Sequence, residues 1–256
     1  MTRTRLVSFR SGELTLRGYL HRPEGAGPFP AVIWNHGSER RPGSFDELGG
    51  FYTSAGFVLF CPHRHGHGRS PGEYALGVVP KGSRAQSIRW LIELHEDYLA
   101  DTLAAVSWLG RQPFVDPSRM AMSGVSHGAI QTILAAEVDA KTAAYVPFAP
   151  AAMGWRGNPE LQDRLLRAVR KAPAPMFLLQ AENDYSLGPS EILGAELERK
   201  GEPNRARVYP SYGQGNASGH GAFACRGMDL WGADVCAFLD KVLVVGLGSS
   251  LSMSAH

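Results

Sequence analysis

A serine set between two glycines is the residue of this chain best placed to do chemistry. Gly124-Val125-Ser126-His127-Gly128 follows a strand-like run, Arg119 to Met122, and precedes Ala129 to Ala136, a stretch of good helix formers. Strand, tight turn and helix in that order make the frame of a nucleophile elbow. The glycines are needed because the turn is cramped and neighbouring side chains would collide. The bend holds the hydroxyl up at the edge of the sheet. The N-terminus of the following helix adds positive potential, which favours a developing oxyanion. The competing reading is a glycine-rich turn that Ser126 merely caps.

A serine hydroxyl is a weak nucleophile unless a base takes its proton. In an elbow protein the order along the chain is serine, acid, histidine. Downstream of Ser126, only His220 and the last residue, His256, follow Asp184, so His220 is the expected base. Asp184 lies just beyond the strand-like run Met176 to Gln180 and is the expected acid, with Glu182 as its rival. Its task is to orient His220 and stabilise the imidazolium, not to accept the proton. The oxyanion needs two N–H donors. One is expected from the backbone of His127. The other is expected from Ser38 or Glu39, in the loop Asn35-His36-Gly37-Ser38-Glu39. His36 itself is read as a buried histidine that shapes this loop.

These residues need elements to hold them. Leu6–Phe9 and Leu14–Leu20 read as two strands around a Ser11-Gly12 turn. Unbroken apolar runs at 31–34, 57–60, 120–122, 144–146 and 176–179, and a weaker one at 207–209, read as strands buried on both faces. Helical periodicity lies between them. It is carried by Leu99, Leu103, Val106 and Leu109 with Asp97 and Asp101 in the first turns, by Leu193 and Leu197, and by Trp231, Val235, Phe238 and Val242. Strands alternating with helices predict an α/β fold with a mostly parallel sheet. Residues 71–92 and 150–173 do not fit the alternation. Both follow strands, so both are expected at the carboxyl ends, covering the active site. The tail 246–256 is expected to fray.

Composition narrows the field. The chain has 256 residues, 44% of them apolar and 20% charged, which is ordinary for a globular protein and excludes disorder and collagen. One domain over residues 1–256 is expected. A formal charge of +2, with the basic residues scattered, gives no reason to expect nucleic acid as a partner. Three cysteines without a CxxC pair read as reduced thiols. No apolar run suits a signal peptide or a membrane span, so a cytoplasmic protein off the membrane is expected. A homodimer is compatible with the sequence.

Taken together, Asn35-His36-Gly37, His65-Gly66-His67-Gly68-Arg69-Ser70, Val115-Asp116-Pro117-Ser118-Arg119, the serine elbow, Asp184 and Gly219-His220-Gly221 resemble the α/β-hydrolase superfamily. Within it the chain is similar to dienelactone-hydrolase-like serine esterases and to the catalytic domain of prolyl-oligopeptidase-type enzymes. The resemblance runs over residues 15–243. It implies an α/β-hydrolase fold with N-terminal antiparallel strands, flanking helices and a short cap, and it implies acyl-transfer chemistry. Strict dienelactone hydrolases use Cys where Ser126 stands, so lactone specificity is not implied. His65 stands where the family usually has Arg. Little chain precedes the core, so the oligopeptide gate of the prolyl-oligopeptidase relatives is not expected.

Two groups of side chains remain. His63, His65 and His67 alternate as metal ligands on a strand would, but Pro62, Gly66 and Gly68 break any strand, so a structural loop is expected and no metal. Met153, Trp155, Tyr185 and Phe223 follow strand ends and are the expected acyl-pocket residues, Met153 and Trp155 foremost. The expectation is a serine carboxylesterase for small esters of short to medium acyl chain, needing no cofactor. An aminopeptidase or amidase, a lactone hydrolase, and a non-catalytic ligand binder on the same fold are the alternatives.

Overall fold

The apolar runs assemble into one eight-stranded sheet. The computed structural model describes residues 3–77 and 83–251. The strands are β1 (Arg3–Ser11), β2 (Leu14–Arg22), β3 (Phe29–Asn35), β4 (Val58–His63), β5 (Val115–Val125), β6 (Ala144–Phe148), β7 (Phe177–Ala181) and β8 (Arg205–Tyr209). Their spatial order is β1-β2-β4-β3-β5-β6-β7-β8. β1 and β2 form the antiparallel hairpin expected from the turn at Ser11-Gly12, and β2 also runs antiparallel to β4. From β4 onward every pairing is parallel. This is the mostly parallel α/β-hydrolase architecture the sequence predicted.

Alternation along each central strand divides the core in two. Ile33, Phe60 and Met122 face one layer, made by α2 (Arg84–Gly110), α3 (His127–Glu137), α4 (Pro159–Lys171) and α5 (Gly188–Lys200). Trp34, Leu59 and Phe148 face the other, made by α1 (Asp46–Ser54) and α8 (Met228–Leu251). Every residue of β4, β6 and β7 is buried, as strands covered on both faces must be. Short helical turns α6 (Gly215–Ala217) and α7 (Phe223–Arg226) flank a π-turn over Ser218–Ala222.

Three expectations need correcting. The helix expected to begin near Asp97 begins at Arg84, where Ser83 and Gln86 form a reciprocal capping box. Its first turns are largely exposed or half-buried, so they carry no apolar periodicity, and Asp101 lies mid-helix as a buried partner of His65 and Ser11. Of the 71–92 segment, residues 84–92 are therefore helix, and residues 78–82 lie outside the described residues. The 150–173 segment is not all cap. Residues 159–171 form α4, started by Pro159 and by Asn158, whose side chain accepts the Leu161 N–H at 3.1 Å. Leu161, Leu165, Ala168 and Val169 of α4 are buried in the helical layer, so most of this segment is core, and residues 151–158 with the start of α4 reach the site. The last helix continues through Leu251, past the Val245 where fraying was expected, and residues 252–256 lie outside the described residues.

Among the described residues no helix is long and apolar enough to cross a membrane. Cys61, Cys225 and Cys236 are free thiols.

Candidate active site

β5 delivers Ser126 to the carboxyl edge of the sheet. The residue takes φ 57° and ψ −115°, a conformation that costs a non-glycine residue roughly 1–3 kcal/mol. Its N–H donates to the Phe148 carbonyl at 3.0 Å, and its own carbonyl accepts from Ile130 N–H at 3.1 Å. The flanking glycines answer to crowding. A Cβ on Gly124 would stand 2.7 Å from the carbonyl oxygens of Asn35 and Gly128. A Cβ on Gly128 would stand 1.9 Å from the Asn35 carbonyl oxygen. Only glycine lets β3, β5 and α3 meet this closely at the elbow.

Asp184 and His220 come together from separate loops. Asp184 follows β7, and its Oδ1 lies 2.8 Å from His220 Nδ1. The same oxygen accepts the Tyr185 N–H at 2.7 Å, and Oδ2 accepts Gln180 Nε2 at 2.7 Å. Gln180 is fixed in turn, because its Oε1 accepts from Ser190 N–H and Oγ. Asn183 ties the histidine segment to the same loop, donating to the carbonyls of Tyr212 and Gly215 and accepting from Tyr212 N–H. Gln180 and Asn183 escaped the sequence reading, since an amide that orients a carboxylate or a loop has no local signature. His220 Nε2 is buried and has no hydrogen-bond partner among the described residues. No bond from Ser126 to His220 is formed, yet both line one cavity of about 290 Å³.

That cavity is apolar on one side, with Leu91, Ile130, Met153 and Leu161, and is bordered on the other by Gly37, Ser38 and Glu39. Of the expected pocket residues, Met153 lines it. Tyr185 does not; its ring stands edge-on to His220 at 5.4 Å, in a neighbouring cleft. Trp155 is buried in the helical layer, hard against Gly188. Phe223 is fully buried beneath the site, beside Phe148 and Tyr209. Both rings are buried by the helices packed behind the strand ends, with Trp155 edging the neighbouring cleft and not this cavity.

The 36–39 loop is held from behind by Arg64. This buried guanidinium donates to the carbonyls of His36 at 2.9 Å and Gly37 at 2.5 Å. His36, itself buried, adds a bond from Nδ1 to the Gly37 carbonyl at 3.0 Å. In a trans peptide the N–H points opposite to the C=O, so the N–H groups of Gly37 and Ser38 face away from Arg64. The Glu39 carboxylate folds back toward Gly37, where its Oε2 would stand 2.7 Å from a Cβ on that glycine. Tyr74 pins the far end by donating to the Ser38 carbonyl at 2.5 Å.

The surroundings are buried and rich in imidazole. Burial pushes His127 down to about 3, and His63 and His67 to about 4. Burial also lowers His36 and His95 well below the ordinary imidazole value. These rings are neutral near pH 7. Arg64, lowered by burial to about 10, keeps its charge. The triplet expected to be structural is tied up piecewise. His63 Nδ1 accepts from Arg69 N–H, His65 pairs with Asp101, and His67 Nδ1 donates to the His65 carbonyl. Among the described residues no His, Cys, Asp and Glu side chains are grouped to hold a metal ion.

The arrangement contains a hydroxyl on a strained turn, a carboxylate-oriented imidazole with a free nitrogen, and backbone N–H groups at a helix start. It can support nucleophilic acyl chemistry.

Comparison with known proteins agrees on the fold. The polyketide transferase grgF of a Penicillium species is 28% identical over 207 residues, which cover 76% of this chain and 64% of that protein. The crystal structure of GrgF superposes with a TM-score of 0.69 at 18% identity, over 94% of this chain and 99% of that one. The Pyrococcus furiosus esterase Pf2001 gives 0.68 at 16%, over 94% and 92%. The acylaminoacyl peptidase of Pyrococcus horikoshii gives 0.63 at 17%, over 88% of this chain but 40% of that one. The family model for acetyl xylan esterase (AXE1) matches residues 6–163. That span is more than half of the sequence and contains both the 36–39 loop and the serine elbow, so the chain belongs to the acetyl xylan esterase (AXE1) family of α/β-hydrolases.

Proposed function

We propose that the protein is a serine carboxylesterase for esters of short to medium acyl chain, with Ser126, His220 and Asp184 as its triad. The observation that carries this reading is the unpartnered Nε2 of His220. It sits on an imidazole whose other nitrogen is bound by Asp184, and that imidazole shares one cavity with Ser126.

In this reading His220 Nε2 takes the Ser126 proton as Oγ attacks the ester carbonyl. The carbonyl oxygen becomes an oxyanion, held by the His127 N–H at the start of α3 and by the Ser38 N–H. The Glu39 N–H is the other expected donor. His220 then protonates the departing alcohol. Water enters by the same route, gives up its proton to His220 and releases the acid. Buried Asp184 keeps the imidazole in the tautomer that can accept at Nε2. The chemistry calls on no cofactor.

A short acyl group suits the site. The cavity of about 290 Å³ is at the small end of ligand pockets, which run about 300–1,000 Å³. Membership of a family described by acetyl esters supports the same range. Amide cleavage gains less support. Glu39 is the only carboxylate bordering the cavity among the described residues, and Arg64 offsets its charge. The likeness to a polyketide transferase supports a second fate for the acyl-enzyme, in which another nucleophile replaces water. A panel of p-nitrophenyl esters from acetate to palmitate, with aminoacyl-anilides beside it, tests the assignment. The expected result is fastest turnover at acetate to butyrate. Anilide turnover exceeding ester turnover would overturn it.

A further inference from the structure

A second cavity, of about 540 Å³, adjoins the one over Ser126. Its own walls include Ser44, Phe45, Asp46, Cys225 and Arg226. Three residues, Glu39, Val125 and Gly221, border both cavities. Val125 and Gly221 are the chain neighbours of Ser126 and His220, so the boundary passes beside the reacting atoms. An ester bound there would have one cavity on each side of this boundary.

Of the three shared residues, only Glu39 has a side chain free to change the opening. Gly221 has none, and Val125 is locked in β5 at 4% exposure. Glu39 belongs to an exposed stretch of loop, while its carboxylate is folded back into the cleft. There it lies in the field of Arg64 and His220. Its Oε2 would be 2.7 Å from a Cβ on Gly37, so any side chain at position 37 would evict it. The side chain thereby stands between the two cavities and borders both.

We propose that Glu39 is a specificity-determining partition between an acyl subsite over Ser126 and a larger alcohol subsite beyond it. The favoured substrates are then esters of a small acid with a bulkier alcohol, because the second cavity is nearly twice the size of the first. The carboxylate limits how large an alcohol can cross. This rests on the esterase reading above.

The test compares kcat/KM for methyl butyrate and cyclohexylmethyl butyrate, which share an acyl group and have alcohols of similar acidity. Glu39→Ala removes the wall and is expected to raise the ratio of bulky to methyl ester by about tenfold, the scale at which pocket size discriminates. Glu39→Gln keeps the shape and is expected to hold the ratio near that of the wild type. Ser44→Trp fills the second cavity from its far side and is expected to lower the ratio by about tenfold. An active wild type with a ratio unmoved by both Glu39→Ala and Ser44→Trp would overturn the partition and leave the esterase reading standing. A folded wild type inert toward every ester would overturn that reading, and the partition with it.

Discussion

His220 Nδ1 lies 2.8 Å from Asp184 Oδ1, and that carboxylate is itself held by the Tyr185 N–H and by Gln180 Nε2. All three groups donate to Asp184, so the imidazole carries its proton on Nδ1 and leaves Nε2 free to accept. Asp184→Asn places an NH₂ or a weaker acceptor against Nδ1 and disturbs that tautomer. The expected outcome is a fall in kcat of about 10⁴-fold with little change in thermal unfolding. Steady-state ester hydrolysis and a melting curve check it together.

Ser126→Ala removes the nucleophile and nothing else that the fold uses, since the side chain caps no helix. A fall in kcat of about 10⁴-fold or more is expected. Labelling by a fluorophosphonate probe should disappear with it. A variant that kept the parental rate would leave the proposed mechanism without its nucleophile.

Gly128→Ala should act on the fold before the chemistry. The new methyl carbon would meet the Asn35 carbonyl oxygen at 1.9 Å, and that oxygen belongs to a strand that cannot retreat. Overpacking of this kind costs about 3 kcal/mol or more. For a chain of this size that corresponds to a drop in Tm of roughly 6–12 °C. Calorimetry gives the number directly.

Arg64→Met should loosen the 36–38 loop and misplace the Ser38 N–H. Losing one oxyanion donor lowers kcat by about 10²–10³-fold, so a fall in kcat much larger than any rise in KM is expected. Arg64→Lys should recover only part of the loss, because an ammonium cannot span both carbonyls as the planar guanidinium does. A variant in which KM alone changed would assign Arg64 to binding instead.

The pairing of His65 with Asp101, at 2.7 Å, makes stability depend on pH. The bond to Asp101 raises the His65 pKa above its ordinary 6.5. That contribution is complete below 6.5 and fades as pH rises through the raised native value. Hydrogen bonds from His65 and Ser11 lower Asp101 below its ordinary 3.8, against the opposing effect of burial. Its contribution is complete above 3.8 and fades as pH falls through the native value. Both are present between pH 4 and 6.5. His65→Gln is therefore expected to cost about 1.5–3 kcal/mol near pH 5.5, the value of a hydrogen bond between charged groups. At pH 9 the cost should be smaller. Urea titrations at the two pH values decide it.

How much of this could be read along the chain depends on the range of the cause. The strands were legible because burial on both faces leaves an unbroken apolar run, as at Phe57-Val58-Leu59-Phe60. The elbow was legible because Gly124 and Gly128 relieve collisions within a few residues of Ser126. His220 followed from chain order, since few histidines remain downstream. The start of α2 was hidden because its first turns bury too little to show a period. Trp155 and Phe223 looked like pocket residues because a ring after a strand end reads the same whether it faces a ligand or a helix. The packing of α4, α5, α7 and α8 put both in the core.

By itself, then, the sequence determined the strand–helix alternation and the strained serine, through short-range sterics or through burial repeated along one element, and chain order named Asp184 and His220 as the candidates to serve it. Tertiary structure alone decided what depends on distant segments meeting. It brought Gln180 to Asp184, Arg64 to the carbonyls behind the 36–38 loop, and Glu39 between two cavities. Hydrogen bonds of a few ångströms between residues tens of positions apart leave no period and no composition behind them, so only the folded chain displays them.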